Sequence, residues 1–205
     1  MAASRSLEAV PPTDAGGRLT LEIPDPGNEG PHHLEIELDC GHIYHAMVAR
    51  ASVREDVIER MAGMRFAAVV PANGGLIGNL KVWENLVLPV AYHGSARYDE
   101  LERRAAGILA EFGVPGERFE ALCTALPNRL DRFERRLFGF VRAMLTEPRL
   151  MVYDSLFDGL AREETGKVLA FDQAYRSRFP SGTSLYLTAD LPGLPEVGAH
   201  RTFHL

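Results

Sequence analysis

The residues from Phe66 to Pro89 read FAAVVPANGGLIGNLKVWENLVLP. The first five are apolar, and a run this short and this apolar is typical of a buried strand in a parallel sheet. Pro71 ends the run, and Gly74, Gly75 and Gly78 then indicate a loop. A buried strand that ends at a glycine-rich loop is typical of an α/β fold, and the rest of the chain is consistent with that fold.

Two segments nearer the N-terminus, Leu19–Ile23 and Leu34–Leu38, alternate apolar and polar residues, which is the pattern of half-buried strands. A turn rich in proline and glycine, Pro24–His33, separates them. Strands and helices alternate after that point, which favours a doubly wound, mostly parallel α/β sheet with antiparallel strands at its N-terminal side. The other predicted strands are His42–Val48, Leu150–Tyr153, Thr183–Thr188 and Arg201–Leu205, and the predicted helices are Tyr98–Phe112, Leu130–Leu145, Arg162–Phe179 and one that begins at Ser52.

Composition narrows the possible functions. The 205 residues carry a formal charge of -6 at pH 7, which argues against a nucleic-acid partner because such proteins present basic surfaces. The two cysteines, Cys40 and Cys123, fit neither a disulfide framework nor a zinc site, so we expect no metal. We expect residues 1–18 to be a flexible leader and 19–205 a single domain with a helical part at about 90–145. No apolar run approaches the roughly 20 residues of a membrane-spanning helix.

Two blocks of sequence carry a resemblance to a known family. The first is Pro71–Pro89, with its Gly-Leu, Asn-Leu-Lys-Val, Glu-Asn and Leu-Pro groups, and the second is Arg142–Asp154, followed by Phe157-x-Gly159-Leu160. They resemble the Q-loop segment, the signature helix with its Walker B strand, and the D-loop of the ATPase subunits of ABC transporters, nearest to those of MCE-associated lipid transporters. The resemblance covers the chain from about Leu19 onwards. It implies a P-loop NTPase-like, ABC ATPase-like fold with a helical signature region.

The chain departs from this family where nucleotide would bind. The family's phosphate loop is Gly-x-x-x-x-Gly-Lys-Ser/Thr, whereas the corresponding Val48–Glu55 has no glycine, and Leu130–Glu134 replaces the Leu-Ser-Gly-Gly-Gln signature. The resemblance therefore implies vestigial nucleotide positions and no catalytic residue. These positions are Arg54 for the lysine, Glu55 for the magnesium-binding hydroxyl, Ala72 (or Asn73 in a register shifted by one) for the Q-loop glutamine, Asp154 and Ser155 for the Walker B pair, and Ala189 for the switch histidine.

The same phosphate-loop residues suggest a helix that caps itself. Ser52 and Glu55 have the spacing of a capping box, which would use the first N–H groups of the helix. Glu55 and Asp56 would then place two carboxylates in the first turn, where they would repel a triphosphate. We expect Arg54 to be solvated or ion-paired rather than a phosphate ligand, and Asp154 to cap the end of its strand.

A second set of residues is predicted to bind a partner. In the resembled family the segment that corresponds to Gly74–Leu88 forms a groove for a short cytoplasmic helix of the membrane permease, and tryptophan often anchors such surfaces. The alternative is that these side chains cover the core of their own domain. The predicted partner-binding residues are Leu76, Ile77, Leu80, Trp83 and Glu84.

These observations predict a degenerate ABC ATPase-like subunit that does not hydrolyse ATP. It would lie in the cytoplasm at the inner face of the membrane, dock on an integral membrane permease, and pair with a second ATPase subunit or with itself. We expect no cofactor, with ATP and magnesium bound only if the altered motifs still work. Two alternatives stay open: an active ATPase with altered motifs, and a soluble scaffold or regulator that kept the fold.

Overall fold

The computed structural model describes residues 17–24, 33–93, 97–189 and 197–205. Within these ranges the larger sheet has five parallel strands in the order β4-β5-β6-β3-β7, and the smaller sheet is the antiparallel pair β1-β2. The strands are β1 (Arg18–Pro24), β2 (His33–Asp39), β3 (Ile43–Met47), β4 (Ala67–Pro71), β5 (Leu150–Asp154), β6 (Thr183–Thr188) and β7 (Arg201–His204). The helices are α1 (Ala51–Ala62), α2 (Val82–His93), α3 (Tyr98–Glu111), α4 (Gly116–Cys123), α5 (Arg132–Leu145) and α6 (Arg162–Arg178), with a 3-10 turn at Pro127–Arg129. The predicted fold class is confirmed.

The central strands β5 and β6 are buried along their whole length. Strands that are covered on both faces are continuous apolar runs, which explains why Leu150–Tyr153 shows no alternation. Successive side chains of a strand point to opposite faces, so β5 contributes to two separate cores. Leu150 and Val152 belong to one core, and Met151 and Tyr153 belong to the other.

The small sheet covers one face of the large sheet together with α1. Leu19 and Leu21 of β1 and Leu38 of β2 are almost completely buried, and they share a core with Val57 of α1. The predicted alternation in both strands is therefore confirmed, although the predicted turn between them, residues 24–33, lies mostly outside the described residues. This arrangement holds the first turn of α1 at the carboxyl ends of the strands.

The helices α2, α3, α5 and α6 cover the opposite face, and α5 is at their centre. Its residues Leu137, Phe140, Val141 and Met144 are buried, as the helical spacing predicts. Asp131 caps the helix: its carboxylate accepts the Glu134 N–H at 2.7 Å, and the Glu134 carboxylate accepts the Asp131 N–H at 3.0 Å. This capping box fixes where α5 begins.

The helical part of the chain begins earlier than predicted. The sequence indicates a loop at Gly74–Gly78 and a helical part from about residue 90, but α2 begins at Val82. The Glu84 carboxylate accepts the Lys81 N–H at 2.6 Å, and Leu86 and Val87 are buried, so capping and packing outweigh Pro89 inside the helix. The short helix α4 was not predicted either. Among the described residues, no helix is both long and apolar enough to span a membrane.

Candidate functional site

Three of the parallel strands bring the predicted nucleotide positions to one edge of the sheet. β3, β6 and β5 are neighbours, and their carboxyl ends lead into the start of α1, Ala189 and Ser155 respectively. Ligands of open α/β sheets bind at this edge. β4 ends beside them, since Pro71 pairs with Asp154, so Ala72 also follows at this edge. The sequence-based placement of these residues at one end of the sheet agrees with the topology.

The connection between β3 and α1 is short and already hydrogen-bonded. It consists of residues 48–50, because β3 ends at Met47 and α1 begins at Ala51. The Val48 N–H donates to the Thr188 carbonyl at 2.8 Å, and the Ala49 N–H donates to the Leu205 carbonyl at 3.3 Å. A phosphate loop needs several N–H groups that converge on one anion. Residues 43–62 are all described, and they do not form such a cradle.

The predicted capping box at this helix is wrong. The N-cap residue of α1 is Arg50, and no side chain accepts a hydrogen bond from the first turn. Glu55 and Asp56 are exposed and lie in the second turn, since α1 begins one residue before Ser52 and the first turn contains no acidic residue. The two carboxylates therefore do not stand in the first turn, where they were expected to repel a triphosphate.

The side chain of Arg54 reaches from the first turn of α1 to the end of β5. Its Nη1 donates to Ser155 Oγ at 2.9 Å, and its Nε lies 3.3 Å from Asp154 Oδ1. Arg54 thus contacts both residues that stand at the Walker B positions. The expectation that Arg54 is ion-paired is confirmed, and the chain itself supplies a cation to the carboxylate that would otherwise help to hold a metal.

The Arg54–Asp154 contact is an ion pair rather than a hydrogen bond. The distance suits an ion pair, but neither Arg54 Nε nor Asp154 Oδ1 has a hydrogen-bond partner within the described part of the chain. Burial raises the pKa of Asp154, while the positive charge of Arg54 and the Ser155 hydroxyl act against that rise. The side chain of Asp154 is 11% exposed and that of Arg54 is 30% exposed, so solvent screens this pair only in part.

Ser155 is held in an uncommon backbone conformation. Its φ is 49°, in the left-handed region that non-glycine residues seldom adopt. Its N–H donates to the Leu187 carbonyl at 2.9 Å, and its side chain is buried against Arg54. These contacts fix the end of β5 to β6 and to α1. Strained residues of this kind concentrate at functional sites, which agrees with the position of Ser155 at the edge where ligands bind.

The end of β6 has no acid–base group at the switch position. Ala189 is half-buried and contributes only a methyl group. The neighbouring Thr188 contacts His45 of β3, with 2.6 Å between Oγ1 and Nε2. Burial lowers the pKa of His45. Sequence reasoning did not connect His45 with this site, because only the parallel pairing of β3 with β6 brings the two residues together.

The loop after β4 is tightly turned and packs directly on α5. The Asn73 carboxamide oxygen accepts the Gly75 N–H at 2.9 Å, and the Gly74 N–H donates to the Pro71 carbonyl at 2.8 Å. Gly74 has a φ of 79°, and a Cβ there would lie 2.0 Å from the Arg135 carbonyl oxygen. A Cβ on Gly139 of α5 would likewise lie 2.3 Å from the Gly74 oxygen. Two glycines thus allow the two backbones to touch.

Two polar side chains form hydrogen bonds with the backbone of the same loop. Asn85, which is 1% exposed, accepts the Ile77 N–H at 2.6 Å and donates to the carbonyls of Ile77, Leu80 and Lys81 at 3.0–3.1 Å. Arg142 Nη1 donates to the Gly75 carbonyl at 2.6 Å. Sequence reasoning missed both roles, although the Glu84-Asn85 pair was part of the resemblance.

The five predicted partner-binding residues lie close together but are not equally available. Ile77 is 43% exposed, and the carboxylate of exposed Glu84 caps α2. Leu76, Leu80 and Trp83 are half-buried. Leu76 and Trp83 also pack against the domain core, with the ring of Trp83 edge-on to Phe119 at 6.4 Å between centroids. The alternative that these side chains cover their own core therefore holds for Leu76 and Trp83, and binding of a partner stays a prediction.

The segment at the signature position is occupied by contacts within the chain. Asp131 and Glu134 cap α5, and Glu134 also forms an ion pair with Arg118. Arg132 donates to the Gly159 carbonyl and Arg136 to the Asp158 carbonyl, so α5 is bound to the loop after β5. Asp131, Arg132 and Glu134, which stand at the signature position, therefore form hydrogen bonds or ion pairs within the chain.

Comparison with known proteins gives one sequence relative and several structural ones. No protein-family model matches the chain. The lipoprotein-releasing system ATP-binding protein LolD of Chromohalobacter salexigens is 28% identical over 119 residues, which are 58% of this chain and 47% of that protein. The chain thus spans about half the length of the curated relative it matches.

The structural neighbours cover more of the chain at lower identity. The structure of cbiO1 from Clostridium perfringens, part of the ABC transporter complex cbiONQ, superposes with a TM-score of 0.64 at 12% identity, over 86% of this chain and 80% of that one. An ATP-binding subunit of an ABC transporter gives 0.62 at 19% identity, over 83% and 78%. The ADP conformation of MJ1267, an ATP-binding cassette, gives 0.59 at 14% identity, over 78% and 74%. This chain therefore has the fold of the ATP-binding subunits of ABC transporters, and part of it is similar in sequence to LolD.

Proposed function

We propose that this chain is a non-hydrolysing subunit of an ABC transporter, which docks on a membrane permease and pairs with a second ATPase subunit or with a second copy of itself. It would lie at the cytoplasmic face of the membrane and contribute binding and shape rather than chemistry. The cargo we propose is lipid or lipoprotein, because the matched relative belongs to a lipoprotein-releasing system.

The observation that carries the proposal is the Arg54 side chain between Asp154 and Ser155. Phosphoryl transfer needs a phosphate cradle, a metal ion and a positioned water. In this chain two N–H groups of the loop before α1 already donate to the carbonyls of Thr188 and Leu205. The guanidinium of Arg54 is paired with the Asp154 carboxylate, on which a magnesium ion would depend. Ala189 has no group that could orient water, and the Ser155 hydroxyl, which accepts a hydrogen bond from Arg54, is not a base that could activate it. These residues do not fit ATP and magnesium.

The surface formed by residues 76–84 supports docking on a permease. The surface formed by residues 76–84 exposes Ile77, and the nearby Leu88 of α2 is also 43% exposed. Apolar side chains beside polar ones suit an interface with another protein. The structural neighbour cbiO1 is itself part of a transporter complex, which supports the same kind of assembly for this chain.

Co-expression with candidate permeases of the same organism, one at a time, tests the docking proposal. Truncating a central interface aromatic commonly costs about 2 kcal/mol or more, so Trp83→Ala should weaken association at least tenfold, and Lys81→Ala should change it far less. Because Trp83 also contacts Phe119, each variant must keep a cooperative thermal transition to be interpreted. Equal association of wild type and a folded Leu80→Ala, Trp83→Ala double variant would contradict docking through this surface.

A further inference from the structure

We infer that Asn85 and Arg142 are positioning residues that fix the shape of the loop formed by residues 74–81, and so present its apolar side chains in one arrangement. The consequence for binding rests on the proposed docking function, whereas the effect on the loop can be measured on the chain alone. Neither residue was among those predicted to bind a partner.

Asn85 uses every polar atom of its side chain on this loop. Its oxygen accepts from the Ile77 N–H, and its nitrogen donates to the carbonyls of Ile77, Leu80 and Lys81. The residue is 1% exposed, so a docking partner cannot reach it. A buried carboxamide with all its hydrogen bonds made to one short segment determines the course of that segment.

Arg142 holds the other end of the loop. Its guanidinium reaches from α5 to the carbonyls of Gly75 at 2.6 Å and Gly74 at 3.4 Å. Burial lowers the pKa of Arg142, and no carboxylate contributes to that shift. The positive charge is therefore directed at main-chain oxygens, and charge-assisted hydrogen bonds of this type are stronger than neutral ones.

The glycine contact makes the arrangement specific. Gly139 lies one turn of α5 before Arg142, where the absence of a Cβ lets the Gly74 backbone approach. A Cβ on Gly75 would meet Arg142 Nη2 at 2.9 Å and the Pro71 ring at the same distance. The loop is thus held between α5 and its own turn, with Ile77 pointing outwards from the segment that Asn85 binds.

A loop held in this way has less conformational freedom to lose when a partner binds. Preorganisation raises affinity by lowering that entropic cost, without adding a contact. Asn85 and Arg142 should therefore contribute to binding although their side chains bond to the loop rather than to the partner.

Amide hydrogen exchange on the purified chain tests this inference in three variants. Asn85→Ala removes the acceptor of the Ile77 N–H, and Arg142→Met removes the donor to Gly74 and Gly75 while keeping an unbranched apolar stem. Arg135→Met is the matched control, because exposed Arg135 on the same helix donates to Leu130 and not to the loop. We expect exchange within residues 74–81 to rise at least tenfold in the first two variants and to stay unchanged in the control, with exchange in β5 unaltered in all three.

Unchanged exchange of the loop in folded Asn85→Ala and Arg142→Met would overturn the inference. If Asn85→Ala does not fold, Arg142→Met carries the test, and Arg142→Lys should restore part of the protection because it keeps a charged donor. Where a permease binds the wild type, both loosened variants should bind more weakly than Arg135→Met, and equal binding would overturn the preorganisation step. If no permease binds the wild type, the docking proposal fails while the exchange data still decide whether these residues fix the loop.

Discussion

Two regions at the same edge of the sheet differ in how their polar groups are used. At the end of β5, Arg54 from α1 reaches Asp154 and Ser155 and closes the place where an ATPase of this fold would hold nucleotide. At the end of β4, Asn85 and Arg142 bind only the backbone of a loop and leave Ile77 exposed. At the end of β5 the chain's own side chains contact one another, whereas at the end of β4 buried side chains bind the backbone of an exposed loop. This difference is the reason why we propose that the loop surface, rather than the nucleotide edge, binds another molecule.

The largest effect is expected at the glycine contact that supports the loop. In Gly74→Ala, the new methyl would lie 2.0 Å from the Arg135 carbonyl oxygen, at a φ of 79° that alanine rarely adopts. Overpacking and backbone strain together should lower the free energy of unfolding by about 3 kcal/mol or more. Urea denaturation measures the loss.

Gly107→Ala is the control for that substitution. Gly107 is a helical glycine of α3 with open space around its Cβ position, so alanine should raise the free energy of unfolding by about 0.5–1 kcal/mol. If both substitutions had the same effect, the close approach of the loop to α5 would not matter for stability.

A smaller effect is expected at the filled nucleotide edge. Arg54→Met leaves the Asp154 carboxylate without its cation, and this should cost about 1–2 kcal/mol, less than for a fully buried pair because Arg54 is 30% exposed. In a double-mutant cycle with Asp154→Asn, the second substitution should recover part of that loss. Additive effects of the two substitutions would argue against a direct interaction.

The pH dependence of the stability of Arg54→Met also tests whether Arg54 stabilises the ionised Asp154 carboxylate. Burial raises the pKa of Asp154 and Arg54 opposes the rise, so removal of Arg54 should raise that pKa further. A carboxyl whose pKa is higher in the folded state binds more protons folded than unfolded, so its stabilising contribution is present below its unfolded pKa and is lost as pH rises through its folded pKa. We expect Arg54→Met to lose more stability than wild type as pH rises above about 4, the ordinary pKa of an aspartate. Parallel pH profiles would mean that Arg54 does not stabilise the ionised carboxylate.

The smallest effect is expected from adding back one of the missing catalytic groups alone. Ser155→Glu restores a carboxylate at the position where the family polarises water, but it supplies neither a phosphate cradle nor the switch histidine. Turnover of ATP should therefore stay at the background rate in a phosphate-release assay with magnesium. Robust activity of this variant would show that the edge is closer to a working site than its geometry suggests.

The sequence predicted much of the fold because the strands are short apolar or alternating runs with clear ends. Leu150–Tyr153 and Thr183–Thr188 were found almost to the residue, since a buried parallel strand leaves a compositional signal. The missed helix α2 begins in a glycine-rich context and contains Pro89, so its local signals opposed a structure that burial and Glu84 stabilise. Tertiary contacts outweighed local propensity there.

The sequence predicted that Arg54 is solvated or ion-paired, but it did not predict which residues Arg54 contacts. Resemblance identified Arg54, Asp154 and Ser155, and the structure brings the three together. The capping box at Ser52 and Glu55 failed because the N-cap of α1 is Arg50 rather than Ser52, a shift of two residues that spacing alone cannot resolve. Arg142 acts on a backbone carbonyl 67 residues away, and Asn85 acts on carbonyls four to eight residues before it, so neither role is indicated by residue type and spacing alone.

Titration of the purified chain with ATP and magnesium by calorimetry tests most directly whether Arg54 closes the nucleotide edge. A competent ATP-binding subunit of the same fold serves as the positive control at equal concentration. We expect the control to bind, and this chain to give no heat beyond dilution and no shift in its thermal transition. Micromolar binding by the wild-type chain that is weakened by Asp154→Asn would contradict the central claim, because it would show that nucleotide displaces Arg54 and uses the carboxylate that Arg54 now occupies.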